Sequence, residues 1–172
     1  MSRLIAAVAL AAAIVALAIG QAGARQDAAV KGPLVTPNGV GGLKLGRTIA
    51  QLRALRLIGG AHRGCELAPG EKAARLKAPL TGTAIFYPGE RLSAISLSGS
   101  GETAAGIHVG STAAAARAAY PAAPYEKPHV HQPIPVGFIW IGGKRHPKMT
   151  LVIAPLVLDV MEIAIPSPSF CE

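Results

Sequence analysis

Three hydrophobic patterns follow one another along the chain. From Leu4 to Gly20 the residues form an uncharged run of Leu, Ile, Val and Ala with no polar face. From Gln26 to Asn38 no periodicity survives, and Gly32, Pro33 and Pro37 interrupt the chain; residues 25–38 therefore read as a flexible linker. Beyond Gly39 come short periodic or alternating segments, each bounded by Gly or Pro.

The most informative of these segments occurs twice. Leu43-Lys44-Leu45-Gly46-Arg47-Thr48-Ile49-Ala50-Gln51-Leu52-Arg53-Ala54 is followed 64 residues later by Ile107-His108-Val109-Gly110-Ser111-Thr112-Ala113-Ala114-Ala115-Ala116-Arg117-Ala118, with five of twelve positions identical. The apolar-x-apolar start docks the chain on a core, and Gly46 or Gly110 permits a positive φ. Thr48 or Thr112 then offers an oxygen to the unpaired N–H groups that open a helix. Gln51 completes a capping box in the first copy. The pattern predicts short helices over about Ile49–Leu57, stopped by Gly59-Gly60, and Ala113–Tyr120, stopped by Pro121.

The far ends of the two units match as well. Leu92–Leu97 and Val160–Ile165 share apolar-x-x-Ile-x-apolar at an offset of 68. Thr83–Tyr87 precedes the first through Pro88-Gly89, a hairpin signal. Met149–Ile153 precedes the second through Ala154-Pro155, and Gly137–Ile141 supplies a further strand. The expectation is an α+β fold of two tandem units (39–99 and 100–172), each a short helix plus antiparallel strands. Neither unit can bury much alone, so both helices are expected on one face of an antiparallel sheet within one compact domain.

These blocks and strand endings resemble the tandem helix–sheet units of secreted bacterial proteins in the beta-lactamase-inhibitor-protein-like and BamE (SmpA/OmlA-like) group. The resemblance covers most of Gly39–Glu172. It implies export and a binding role through loops or an open sheet face, with no contact residue of that group matched here.

Charge and cysteines add the compartment. Arg3 before the apolar run and Ala22-Gly23-Ala24 after it give a signal-peptide layout over 1–24, with cleavage expected after Ala24. A retained anchor is the competing reading, since the run is 17 residues long and lies at the short edge of what spans a bilayer. Cleavage leaves 148 residues with net charge +7 and no stable membrane span. Outside the cytoplasm, Cys65 and Cys171 can form one disulfide. Closing a loop of that size is worth ~4.7 kcal/mol in the chain-entropy model.

Catalytic chemistry is thinly supplied. Asp159 is the one acid outside the linker for a Ser-His-Asp arrangement. No Gly-x-Ser-x-Gly elbow, phosphate-binding glycine loop or His-Glu-x-x-His occurs. His129 and His131 alternate on an extended Pro-rich stretch, a weak two-point metal grip that His108 or His146 could extend; solvated loop histidines are the simpler reading, and no metal or cofactor is expected. The seventeen Lys+Arg against nine Asp+Glu include a basic turn, Lys144-Arg145-His146-Pro147-Lys148. With Trp140, Lys144, Arg145 and Lys148 form the candidate binding surface, facing an unknown protein or an anionic envelope polymer. Nucleic acid is excluded by the lack of aromatics among the charges. The resulting expectation is an exported, monomeric, non-enzymatic interaction module. A small secreted or cell-wall-associated enzyme of unrecognised type is the alternative.

Overall fold

The computed structural model describes residues 32–87, 89–129 and 135–169, all within the unit Lys31–Glu172. The leader, His131 and Cys171 lie outside the described residues. Each repeated block folds as its chemistry dictates. Gly46 and Gly110 adopt φ of 83° and 94°. Thr48 accepts from the Gln51 N–H, and the Gln51 side chain accepts from the Thr48 N–H, closing the capping box of α1 (Ile49–Ala54). Thr112 accepts from the Ala115 N–H at the start of α2 (Ala113–Ala119). Both helices stop short of the expected ends, because Leu55 and Tyr120 already leave the helix as C-caps.

The expected α+β fold of two tandem helix–sheet units is corrected by what surrounds these helices. Among the described residues the architecture is mostly β, with twelve strands in two sheets and two helices of six and seven residues. The smaller sheet joins β1 (Leu34–Thr36), β2 (Gly39–Val40), β3 (Leu43–Lys44) and β8 (Glu102–Thr103) in the order β3-β2-β1-β8. Residues 34–36, expected in a linker, are thus a strand. The larger sheet contains β4 (Ile58–Arg63), β5 (Lys72–Leu76), β6 (Gly82–Phe86), β7 (Leu92–Leu97), β9 (Tyr125–Glu126), β10 (Gly137–Ile141), β11 (Met149–Ile153) and β12 (Val160–Ile165). Its order is β4-β5-β6-β7-β12-β11-β10-β9, antiparallel throughout. The correction has a physical cause. Gly59-Gly60, read as a helix stop, lie within β4 at the register irregularity between Ile58 and Ala61, and β5 is Lys-Ala-Ala-Arg-Leu, a composition that favours helix.

The two blocks grip the ends of β7 and β12 in the same way. Gly46 donates to Leu92 O at 2.8 Å and Gly110 to Val160 O at 2.7 Å. Leu92 donates back to Arg47 O and Val160 to Ser111 O, both at 2.8 Å. The first helical N–H of α1 donates to Glu90 O, and that of α2 to Leu158 O. Thr48 bridges to Arg91 and Thr112 to Asp159. Even the unusual backbone repeats, since Glu90 and Leu158 have φ of 60° and 55°.

One face of the large sheet carries Ile95, Leu97, Ile139, Leu151, Ile163 and Ile165, all fully buried in the main core cluster. Ile49 and Leu52 of α1, Ala113 and Ala116 of α2, and Val35, Val40 and Leu43 of the small sheet join that cluster. The opposite face is also covered at its centre. Ile85, Val152, Ala164 and Thr150 are buried but lie outside that cluster, and Thr150 Oγ1 donates to Pro166 O at 3.0 Å. Ala164 is buried on this face and Ser96 half-buried, so its centre is not the open sheet face that the resemblance implied.

Two substitutions test this ordering. Ile163→Ala should lower unfolding free energy by about 2–5 kcal/mol in urea denaturation, as a fully enclosed cavity requires. Thr48→Ala should lower it by about 1 kcal/mol through the lost cap.

Candidate functional site

The connection from β11 to β12 is a short turn, Ala154 to Asp159, closed by the Ala154 N–H donating to Asp159 O at 2.8 Å. Turns ordinarily present polar residues. Here Leu156 is 87% exposed, Val157 68% and Leu158 40%, and Met161 on β12 adds a 45% exposed thioether. Three consecutive aliphatic side chains at a strand-end turn are a departure from the usual surface pattern. Leu158 sits in the left-handed region at φ 55°, a strained state for a bulky residue, worth of order 1–3 kcal/mol. Its carbonyl accepts from the Ala113 N–H at 2.8 Å, so the start of α2 holds the turn in place. Sequence reasoning passed over these residues, taking Ala154-Pro155 as a plain joint between strands. The available signal was the absence of any polar residue between Pro155 and Asp159.

The basic turn connects β10 to β11 at the other end of the sheet. Lys144, Arg145, His146 and Lys148 are all exposed there. Lys144 Nζ donates to Glu126 Oε2 at 2.8 Å, so one of its cations is already paired. Trp140 is half-buried beside that turn, and its carbonyl accepts from the Gly143 N–H at 3.2 Å. It stacks on Phe138, two residues away on the same side of β10, with centroids 4.9 Å apart and planes at 30°. Its indole Nε1 is buried and has no hydrogen-bond partner among the described residues.

Glu162 shares that second face, opposite Val152 of β11. Burial pushes its carboxyl above the usual glutamate range, and a hydrogen bond from the Ser96 side chain partly offsets this. No salt bridge reaches Glu162 among the described residues. Asp159 and Glu162 do not work as a pair: Asp159 lies at the foot of the exposed turn and Glu162 within the sheet.

The remaining candidates do not converge. His129 and His146 are exposed, and His108 Nδ1 lies 2.9 Å from Val109 O. Among the described residues no group of three or more His, Cys, Asp or Glu could hold a metal ion. Cys65 is buried, and no described cysteine carries a free thiol. A shallow depression of about 360 Å³ on α1 is lined by Arg47, Gln51, Ala54 and Leu55, a cation and an amide on an apolar floor. Protein-family models, curated proteins and solved structures provide no match to the chain. The geometry alone therefore ranks the surfaces. The aliphatic turn is the one whose chemistry the fold does not explain.

Glu162 yields a signed pH prediction. Its carboxyl binds a proton more tightly folded than unfolded, so this group lowers stability as pH rises from the ordinary glutamate range through the raised folded value. Glu162→Gln should remove that slope. Urea denaturation should show the variant gaining on the parent as pH rises above the ordinary glutamate range, and no gain at the alkaline end would contradict the burial cost.

Proposed function

We propose that the chain is an exported, non-enzymatic interaction module that binds a protein through its surface. The observation carrying this reading is the exposed aliphatic turn Leu156–Leu158, held in a strained conformation by its bond to α2. Apolar area of this kind gains free energy when a partner covers it, and rigid presentation lowers the ordering cost of binding. The resemblance of Leu43–Ala54 and Ile107–Ala118 to secreted bacterial proteins of the beta-lactamase-inhibitor-protein-like and BamE group implies at most a binding role of this kind. Export rests on Arg3, the Leu4–Gly20 run and Ala22-Gly23-Ala24. A Cys65–Cys171 disulfide belongs to the proposal, supported by the buried Cys65 without a free thiol.

Three measurements test it. N-terminal sequencing of the secreted product should begin at Arg25, whereas full-length chain in the membrane fraction would establish an anchor. Non-reducing mass spectrometry should recover a peptide linking Cys65 to Cys171. The tagged chain should retain a protein from envelope or medium fractions, and Leu156→Asp, folded to the same thermal midpoint, should lose roughly tenfold or more of it. Retention of nothing by the parent chain would refute the module reading.

A further inference from the structure

The two halves of the large sheet contain the same junction, one with a polar turn and one with an apolar turn. Glu90 and Leu158 occupy equivalent places: each has a left-handed φ, and each gives its carbonyl to the first N–H of a helix. At the first junction the turn residue is charged and pairs with Lys72. The fold therefore accepts a solvated carboxylate where Leu158 stands. Nothing in the junction's own geometry requires leucine there, nor Leu156 and Val157 beside it.

The strand register fixes which connections share the apolar turn's end of the sheet, from edge strand β4 to edge strand β9. Gly137 pairs with Ile153, and Gly82 with Leu97, so the β9–β10 and β5–β6 connections open at the same end of the sheet as the β11–β12 turn. Ile58 pairs with Leu76, which brings the end of α1 there too. Exposed at this end are Lys127, Lys77 and Arg56. None of the three has an ion-pair partner among the described residues. An aliphatic projection accompanied by unpaired cations complements an apolar cleft with carboxylates on its rim.

We infer that Leu156, Val157 and Leu158 insert into an apolar cleft of an acidic protein partner, with Arg56, Lys77 and Lys127 meeting the cleft's acidic rim. This inference rests on the interaction-module reading and specifies its site and partner chemistry. A second copy is disfavoured as the occupant, because the chain carries net charge +8 and copies repel. A bilayer is disfavoured by the turn itself. Between Ala154 and Asp159 it has no Trp or Tyr to seat in an interface, and it carries the carboxylate of Asp159. A fluid interface also gains nothing from a turn held in one strained shape, whereas a shaped cleft does.

Site-specific photo-crosslinking in the producing culture tests this, with a photoreactive phenylalanine derivative at Val157 and, as control, at Leu67, another exposed apolar position on the β4–β5 turn. The expected result is one discrete adduct from position 157 and none from 67, with an acidic protein. The adduct should fall about tenfold or more in Leu156→Asp. It should also weaken several-fold as salt rises from ~0.05 to ~0.5 M, where screening shortens to a few Å. Thermal unfolding of Leu156→Asp should match the parent, since that side chain is 87% exposed. An adduct of twice the chain mass would replace the acidic partner with a second copy. Co-flotation with phosphatidylglycerol vesicles that Leu156→Asp abolishes would replace it with a membrane. A partner captured through position 67 alone would overturn this site and leave the module reading standing. No adduct at either position, with no protein retained from envelope or medium, would overturn both.

Discussion

The pairing of β7 with β12 is the contact on which the large sheet depends. It sets Ile163 against Leu97 and Ile165 against Ile95, four side chains with no exposed surface. On either side of it lies a four-stranded antiparallel run, β4-β5-β6-β7 and β12-β11-β10-β9. Split at this line, each run would present a long edge of unpaired N–H and C=O groups and would bury one short helix. Joined, the runs pair β7 and β12 on both sides and leave the glycine-bearing β4 and the two-residue β9 as edges. Short or irregular edge strands are poor templates for unwanted pairing.

The helices are consequences of that arrangement. Segments of six and seven residues have almost no stability as isolated helices. Their stability comes from the grip of each block on the end of a central strand, through the paired bonds of Gly46 with Leu92 and Gly110 with Val160. The glycines let the chain reverse tightly enough to make those bonds, and the threonines satisfy N–H groups that the short helices leave over. Repetition of five residues in twelve thus records a repeated mechanical task at two places in one sheet.

This explains which parts of the structure were legible in the sequence. Cap threonines, left-handed glycines and the Ile-bearing strands β7 and β12 each carry a local signal strong enough to read alone, and their positions follow it. The class did not follow, because half the strands carry no such signal. β2, β3, β8 and β9 are two residues long, β5 resembles helix in composition, and Gly59-Gly60 resemble a break. Their pairing is decided by neighbours distant in sequence, which local patterns do not encode. The basic turn was visible as composition, and the structure leaves Arg145 and Lys148 exposed there. The aliphatic turn was not, because apolar residues beside a strand read as more strand until the register shows where pairing ends.

Burial on the second face narrows where contact chemistry can reside. The reading of an open sheet face required side chains such as Ala164 to reach solvent, yet Ala164, Thr150, Val152 and Ile85 are enclosed. Glu162 registers that enclosure as a carboxyl harder to ionise. With the centre of both faces covered, the two halves differ most at the strand ends. The β6–β7 turn ends in a glutamate tied to a lysine, and the β11–β12 turn in three bare aliphatic side chains on the same backbone frame. Since the frame is common to both, the backbone does not by itself require the aliphatic side chains of the β11–β12 turn.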